Sequence, residues 1–191
     1  LSFVPITYKG EKMTALVGKR ALTELIHLDA DTVGIGWNDD HLLFEHGNRK
    51  IISRKLTGNF PDYHRILPKD FPYAILVDAT ELYKVVDRVK LFADERSHAV
   101  RFTIGDGKLT VKAEVCENGK ASGSVPILGG MPSDSVIVLN AEYVMDFLAL
   151  AKGETVAYCY PAIKEKEEQV SGASQLMTTD GFRNVLMPTR M

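Results

Sequence analysis

The strongest constraint on this chain is that one order of elements occurs in it three times. A short apolar stretch (Met13 to Val17, Ala74 to Val77, Ser135 to Leu139) runs directly into an amphipathic segment. Those segments read ALTELI from Ala21, ATELYKVV from Ala79 and NAEYVMDFL from Asn140. Three stretches of alternating or β-branched residues follow each: TVGIGW, HLLFEHG and KIISRKL; then AVRFTIG, KLTVKAEV and ASGSVPI; then TVAYCYP, QLMTTD and RNVLMP. Alternation at a period of two argues for strands, and apolar residues three and four apart argue for helices. The repeating unit is therefore β-α-β-β-β, of about 60 residues, well above the period of a solenoid. Units of this size pair into domains, so the expected fold class is α+β with three such units.

The helical segments indicate which way each unit faces. In the second, Leu82, Val85, Val86 and Val89 form one apolar stripe, while Thr80, Lys84, Asp87, Arg88 and Leu91 point away. The first repeats this with Leu22, Leu25 and Ile26 inward and Arg20, Glu24 and His27 outward. The third is apolar over much of its circumference, with Glu142 and Asp146 on its polar face and Lys152 at its end. Asp78 and Asn140 have the side chains of N-caps, and Gly105-Asp106-Gly107 marks a tight hairpin.

Composition narrows the function classes. Apolar residues make up 45% of the 191 residues and charged residues 25%, so a folded core is expected. No apolar run reaches the roughly 20 residues of a membrane span, and Leu1 to Ile6 lacks the pattern of a signal peptide, which predicts a soluble, cytoplasmic protein. Cys116 and Cys159 form neither a disulfide framework nor a zinc cluster and read as reduced structural thiols. With a net charge of -2, any contact with nucleic acid must come from local clusters of basic side chains. There is no Walker loop, complete GxGxxG or HExxH motif. His41 and His46 fall on opposite faces of a strand, so they do not make a metal pair. Asp94-Glu95-Arg96 reads as a solvated turn rather than an acid pair, and KEKEEQ with the following Val-Ser-Gly-Ala-Ser reads as a mobile charged hairpin loop over 163–174. A metal-dependent nuclease would need three or four converging carboxylates, and none is evident in the pattern. No catalytic residue, metal or cofactor is therefore assigned.

A more specific signal lies in four landmarks in order: SRKLTGNFPDYHRILP (Ser53 to Pro68), FADERSHAVRF (Phe92 to Phe102), VLNAEYVMDFLAL (Val138 to Leu150) and the terminal VLMPTRM (Val185 to Met191). Together they resemble the C-terminal half of the bacterial DNA polymerase III beta subunit family, the sliding clamps. That family has six β-α-β-β-β units in three domains, and two subunits close head to tail into a ring. The resemblance implies that residues 1–70 are the second half of the middle domain and 71–191 the C-terminal domain. Leu1 to Pro5 would be the tail of a preceding unit's last strand, and Leu1 in place of an initiator Met suits a piece of a longer chain. The departures are the charged insert around Lys164 and Asn184, where an aromatic is common.

The implied function is a non-catalytic processivity factor of DNA replication that encircles duplex DNA without reading its sequence. Lys19, Arg20, Lys84 and Arg88 are the expected DNA-facing residues, reaching phosphates rather than bases. The resemblance also implies a hydrophobic groove that takes short peptide motifs from polymerase, clamp loader and repair proteins. The matching positions are Pro61, Arg65, Ile66, Asn140, Tyr143, Met145, Val185, Met187, Pro188, Thr189, Arg190 and Met191. Leu91 lies opposite the core stripe of its helix, and Leu91 and Phe92 are the expected subunit interface of the homodimeric ring. Without the N-terminal partner domain, that surface should leave the chain monomeric or weakly associated. The alternative is a truncated clamp serving as a peptide-binding or regulatory module without ring closure.

Overall fold

The computed structural model describes residues 1–7, 9–60, 62, 70–113, 119–163 and 169–189. They divide into two compact units, Tyr8–Asp62 and the combination of Leu1–Thr7 with Tyr63–Met191. The chain opens with β1 (Ser2–Phe3), and the smaller unit then contributes α1 (Lys19–Ile26), β2 (Gly34–Trp37), β3 (His41–His46) and β4 (Arg49–Arg54). In the larger unit, β5 (Tyr73–Asp78) leads into α2 (Ala79–Lys90), followed by β6 (Ala99–Gly105), β7 (Lys108–Ala113), β8 (Ala121–Pro126) and β9 (Gly129–Met131). The order then recurs as β10 (Ser135–Asn140), α3 (Ala141–Leu150), β11 (Thr155–Tyr160), β12 (Ser174–Met177) and β13 (Arg183–Leu186).

The two β-α-β-β-β units of the larger body are joined by exchange. The leading strand of each pairs with the first strand after the helix of the other. β5 lies antiparallel to β11, with Tyr73 opposite Tyr160 and Asp78 opposite Thr155. Reciprocally, β10 lies antiparallel to β6, with Ser135 opposite Ile104 and Asn140 opposite Ala99. The result is a four-stranded sheet in the order β10-β6-β7-β8 and a six-stranded sheet in the order β1-β13-β12-β11-β5-β9. The helices α2 and α3 pack against each other. Leu82, Val85, Val86 and Val89 of α2 are buried, as are Val144, Phe147 and Leu148 of α3, in one core with Phe102, Ile104, Tyr158 and Tyr160. Truncating one of the large aliphatic members to Ala costs about 2–5 kcal/mol.

Local chemistry starts and stops these elements. The Asp78 carboxylate accepts from Glu81 N at 2.8 Å and caps α2. Asn140 caps α3, its Oδ1 accepting from Glu142 N at 2.9 Å and Tyr143 N at 3.4 Å. Asp106 and Gly107 have φ of 49° and 70°, the two positive values of a type I′ turn, which joins β6 to β7 as the Gly-Asp-Gly signal predicts. The Asp94 carboxylate accepts from Arg96 N and Ser97 N, so the acidic triplet forms the expected turn.

Three expectations from the sequence need revision. Met13 to Val17 is not a strand, and its one ladder contact is an isolated bridge between Leu16 and Leu56. On α1 the inward residue is Ala21, while Leu22 and Ile26 are exposed. The stretch after KEKEEQ is packed rather than loose: Val170, Ala173 and Ser174 are buried and Val170 N donates to Val136 O at 2.8 Å. Residues 164–168 lie outside the described residues, as does Cys116. The strand β9 has no period-two apolar signal because two of its three residues are glycine; Gly130 has φ of 110°, and a Cβ there would lie 2.4 Å from Ala74 O. Ser2 and Phe3 pair with Asn184 and Arg183 of β13.

Candidate functional site

A surface cavity of about 350 Å³ opens where α3 meets the last strand of the larger unit. Tyr143 and Asp146 line it from α3, Asn184 to Met187 from β13 and the residue after it, and Leu1 and Ser2 from the chain start. The cap at Asn140 sets the first turn of α3, so Tyr143 and Asp146, three apart, share the exposed face while Val144, Phe147 and Leu148 turn inward. Asn140 Nδ2 also donates to Ser97 O at 3.0 Å, fixing the start of the helix to the turn before β6.

The other wall is held from both sides. Strand β13 pairs with β12, Val185 standing opposite Gln175, and with β1 on its outer edge. Val185 N donates to Leu1 O at 2.8 Å and Leu1 N donates to Val185 O at 3.1 Å. Beyond β13 the chain is tied again where Thr189 N donates to Val138 O at 2.9 Å. Val185 and Leu186 are buried, whereas Met187 projects into solvent and Tyr143 is exposed. The rim therefore carries a flexible thioether and an aromatic ring over an aliphatic floor, a surface that adapts to apolar side chains.

One polar group in this cavity is unsettled. Asn184 is buried, and its Oδ1 has no hydrogen-bond partner among the described residues. A buried acceptor left unpaired costs about 1–3 kcal/mol, so a donor brought by a ligand would recover that cost.

Of the groove positions expected from the sequence, the structure brings Tyr143, Val185 and Met187 together in the cavity. Pro188 and Thr189 follow directly and are half-buried. Asn140 is engaged as a helix cap, and Met145 is buried in the core. Pro61, Arg65, Ile66, Arg190 and Met191 lie outside the described residues. Sequence reasoning did not assign Asp146, Asn184, Leu186, Leu1 or Ser2 to the groove. The spacing of Asp146 from Tyr143 carried the signal for the first, and Asn184 was visible as a departure.

Elsewhere, Lys19 and Arg20 are exposed on the first turn of α1, and Lys84 and Arg88 are exposed on α2. Lys84 Nζ lies 2.8 Å from the Glu81 carboxylate, and Arg88 Nε donates to Lys84 O at 3.3 Å. Leu91, the C-cap of α2, is exposed, while Phe92 packs partly against the core. Burial pushes the Cys159 thiol above its usual range, away from reactivity. Among the described residues there is no group of three or more side chains able to hold a metal ion, and no helix is long and apolar enough to cross a membrane.

Comparison with known proteins identifies the family. Residues 64–170 match the model of the DNA polymerase III beta subunit, C-terminal domain. The beta sliding clamp of Synechocystis sp. is 30% identical over 138 residues, covering 68% of this chain and 34% of that protein. The Caulobacter vibrioides beta sliding clamp is 27% identical over 184 residues, covering 92% and 46%. Among solved structures, the Streptococcus pneumoniae DNA polymerase III beta chain superimposes with a TM-score of 0.82 at 23% identity, over 98% of this chain and 50% of that one. A Pseudomonas aeruginosa sliding clamp bound to griselimycin superimposes with a TM-score of 0.79 at 22% identity, over 93% and 47%. The chain thus spans about half or less of the length of these relatives. The matched domain extends over more than half of the chain, and the chain belongs to the DNA polymerase III beta subunit family.

Proposed function

We propose that this chain is part of a ring-shaped sliding clamp, a non-catalytic cytoplasmic processivity factor that encircles duplex DNA and docks replication and repair proteins. The observation that carries the docking half is the cavity itself: Tyr143 and Met187 over Val185, with the buried Asn184, whose Oδ1 is unpartnered, among the residues that line it. Its natural ligand is a short peptide containing a glutamine followed by leucine or phenylalanine. The leucine or phenylalanine suits the apolar rim, and the glutamine amide is a donor of the kind Asn184 lacks. Residues 1–70 take the role of the second half of the middle domain and 71–191 that of the C-terminal domain. Lys19, Arg20, Lys84 and Arg88 make sequence-independent contacts to phosphates, and Leu91 and Phe92 meet the other subunit. The polymerase, clamp loader and repair proteins are the partners proposed for the cavity.

A second reading, a peptide-binding or regulatory module without ring closure, is favoured by one observation. Every described residue lining the cavity belongs to a single compact unit, so docking there does not need a ring.

The test is titration of a labelled peptide of this type into the chain and into a variant lacking residues 187–191, with thermal melts of both. Removing one wall of an anchor pocket typically costs about 2 kcal/mol, roughly thirtyfold in affinity. The expected result is that loss with little change in melting temperature. Equal affinity for the two proteins, or no binding by either under conditions where a longer clamp binds, overturns the assignment.

A further inference from the structure

The cations carried by the helix pair of the larger unit are not equivalent. On α2, Lys84 Nζ lies 2.8 Å from Glu81 Oε1, and Lys90 Nζ lies 3.0 Å from Asp87 Oδ1. A lysine already matched by a carboxylate offers an approaching anion a nearly neutral pair, and the anion must displace the carboxylate to gain the full charge. Arg88 differs: its Nε donates to Lys84 O at 3.3 Å, and its guanidinium is in no ion pair among the described residues.

Lys152, just past the end of α3, is a second unmatched cation. It is exposed, and its Nζ lies 4.1 Å from the centroid of the Tyr83 ring on α2. It too is in no ion pair among the described residues. An aromatic face attracts an ammonium without neutralising it, so the ring holds the long side chain in place while its charge stays available. The platform is itself fixed, because Tyr83 packs partly against the core.

The backbone ties the same junction. Gly153 N donates to Thr80 Oγ1 at 2.9 Å, and Ala79 N donates to Glu154 O at 3.0 Å, which binds the end of α3 to the first turn of α2. Thr80 is three residues from Tyr83 and four from Lys84, so both side chains neighbour that junction. Arg88 lies one turn beyond Lys84, about 6 Å along the helix. Lys152 thereby joins Lys84 and Arg88 in one basic cluster, although α3 has no basic residue of its own.

We infer that Lys152, seated on the Tyr83 ring, is a further contact to the phosphates of duplex DNA, and that Lys152 and Arg88 carry more of the binding than Lys84. This rests on the sliding-clamp reading above. A lone ammonium meets a phosphate as a point charge and reads no base, which suits contact independent of sequence. Duplex rather than single-stranded DNA is favoured because the Tyr83 face, the one surface here on which a base could stack, is already occupied by Lys152. Tyr83 is then a positioning residue that acts through Lys152.

The experiment is fluorescence anisotropy of a labelled duplex of mixed sequence with the whole chain, over a series of salt concentrations. Lys152→Gln, Lys84→Gln, Tyr83→Phe, Tyr83→Leu and the Tyr83→Leu/Lys152→Gln double variant are run beside the wild type. Each phosphate contact contributes about 0.9 to the slope of log affinity against log salt. Lys152→Gln should lower the slope by about that amount and weaken binding several-fold at low salt, with an unchanged thermal melt. Lys84→Gln should cost clearly less. Tyr83→Phe should match the wild type, whereas Tyr83→Leu should lose affinity alone but little more when Lys152 is already glutamine, a coupling that a merely structural role would not produce.

A wild-type slope in Lys152→Gln overturns the inference and leaves the clamp reading standing. A Lys84→Gln loss equal to or larger than that of Lys152→Gln overturns the ranking. Stronger dependence on Lys152 with a single strand than with the duplex overturns the choice of ligand. No salt-dependent binding by the wild type, where a full-length clamp binds, overturns the inference together with the proposal that α2 faces DNA.

Discussion

Phe147 of α3 stacks on Phe182, the residue immediately before β13, with ring centroids 4.8 Å apart and an interplanar angle of 24°. This contact joins the two walls of the candidate groove, since Tyr143 and Asp146 ride on the same helix and Val185 and Met187 follow Phe182 along the chain. Phe182→Ala should therefore destabilise the domain by about 1–3 kcal/mol and weaken peptide binding beyond what the loss of stability explains. Thermal melts and peptide titration at a temperature where the variant is fully folded separate the two effects. Unchanged affinity in the folded variant would show that the walls are positioned independently.

Asn140 lies one position before the helix that carries Tyr143, and its amide is occupied on both sides, accepting from the first turn of α3 and donating to Ser97. Asn140→Ala should cost about 0.5–2 kcal/mol of stability, whereas Asn140→Asp keeps the capping acceptor and recovers part of it. Chemical denaturation of the two variants measures this. A loss of peptide affinity with no loss of stability would reassign Asn140 from cap to ligand contact.

Asn184→Leu replaces the unpartnered acceptor by an apolar group of similar size. Folding stability should be unchanged or slightly higher, because a buried polar group without a partner is removed. Peptides bearing the glutamine should bind several-fold more weakly, and peptides with that residue changed to alanine should bind the two proteins alike. The comparison is a double-mutant cycle, and a zero coupling term would sink the proposed contact.

Acid should expose two turns. The Asp94 carboxyl is held below its usual range mainly by the backbone N–H of Ser97, and that of Asp180 by the Thr178 hydroxyl and then Phe182 N. Because each folded-state pKa is depressed, the stabilisation is fully present above the ordinary carboxylate range. It is lost as the pH falls through the lower, folded values. Melting temperatures of wild type and of Asp180→Asn should differ at neutral pH and converge as the solution is taken well below pH ~4. A difference that persists unchanged in acid would mean that the carboxylate charge is not what holds the turn before β13.

Much of the fold is legible in the sequence because each strand-helix-strand step is encoded locally. The α2 stripe of Leu82, Val85, Val86 and Val89 and the caps Asp78 and Asn140 are all found where periodicity and cap chemistry put them. The misreadings share one cause, which is that the deciding partner is remote in sequence. The apolar pattern of α1 puts Leu22 and Ile26 inward, yet both are exposed. Val170 looks like part of a charged loop until Val136 accepts its N–H. The candidate groove was half legible for the same reason. Tyr143 and Met187 were legible through the landmarks VLNAEYVMDFLAL and VLMPTRM, but the roles of Asp146 and Asn184 depend on a helix and a strand meeting in space.

The exchange of leading strands fixes when this domain can form as well as how. β5 is made early, yet its neighbours in the six-stranded sheet are β9 and β11, and Tyr73 finds Tyr160 only after the second repeat has been largely synthesised. A nascent chain that has emerged only as far as Met131 holds a complete first repeat whose sheet edges and helix stripe are still waiting. Closing such distant pairs makes for high contact order and slow folding, so the interval between the two repeats on the ribosome is when this chain is most exposed to chaperones and to aggregation.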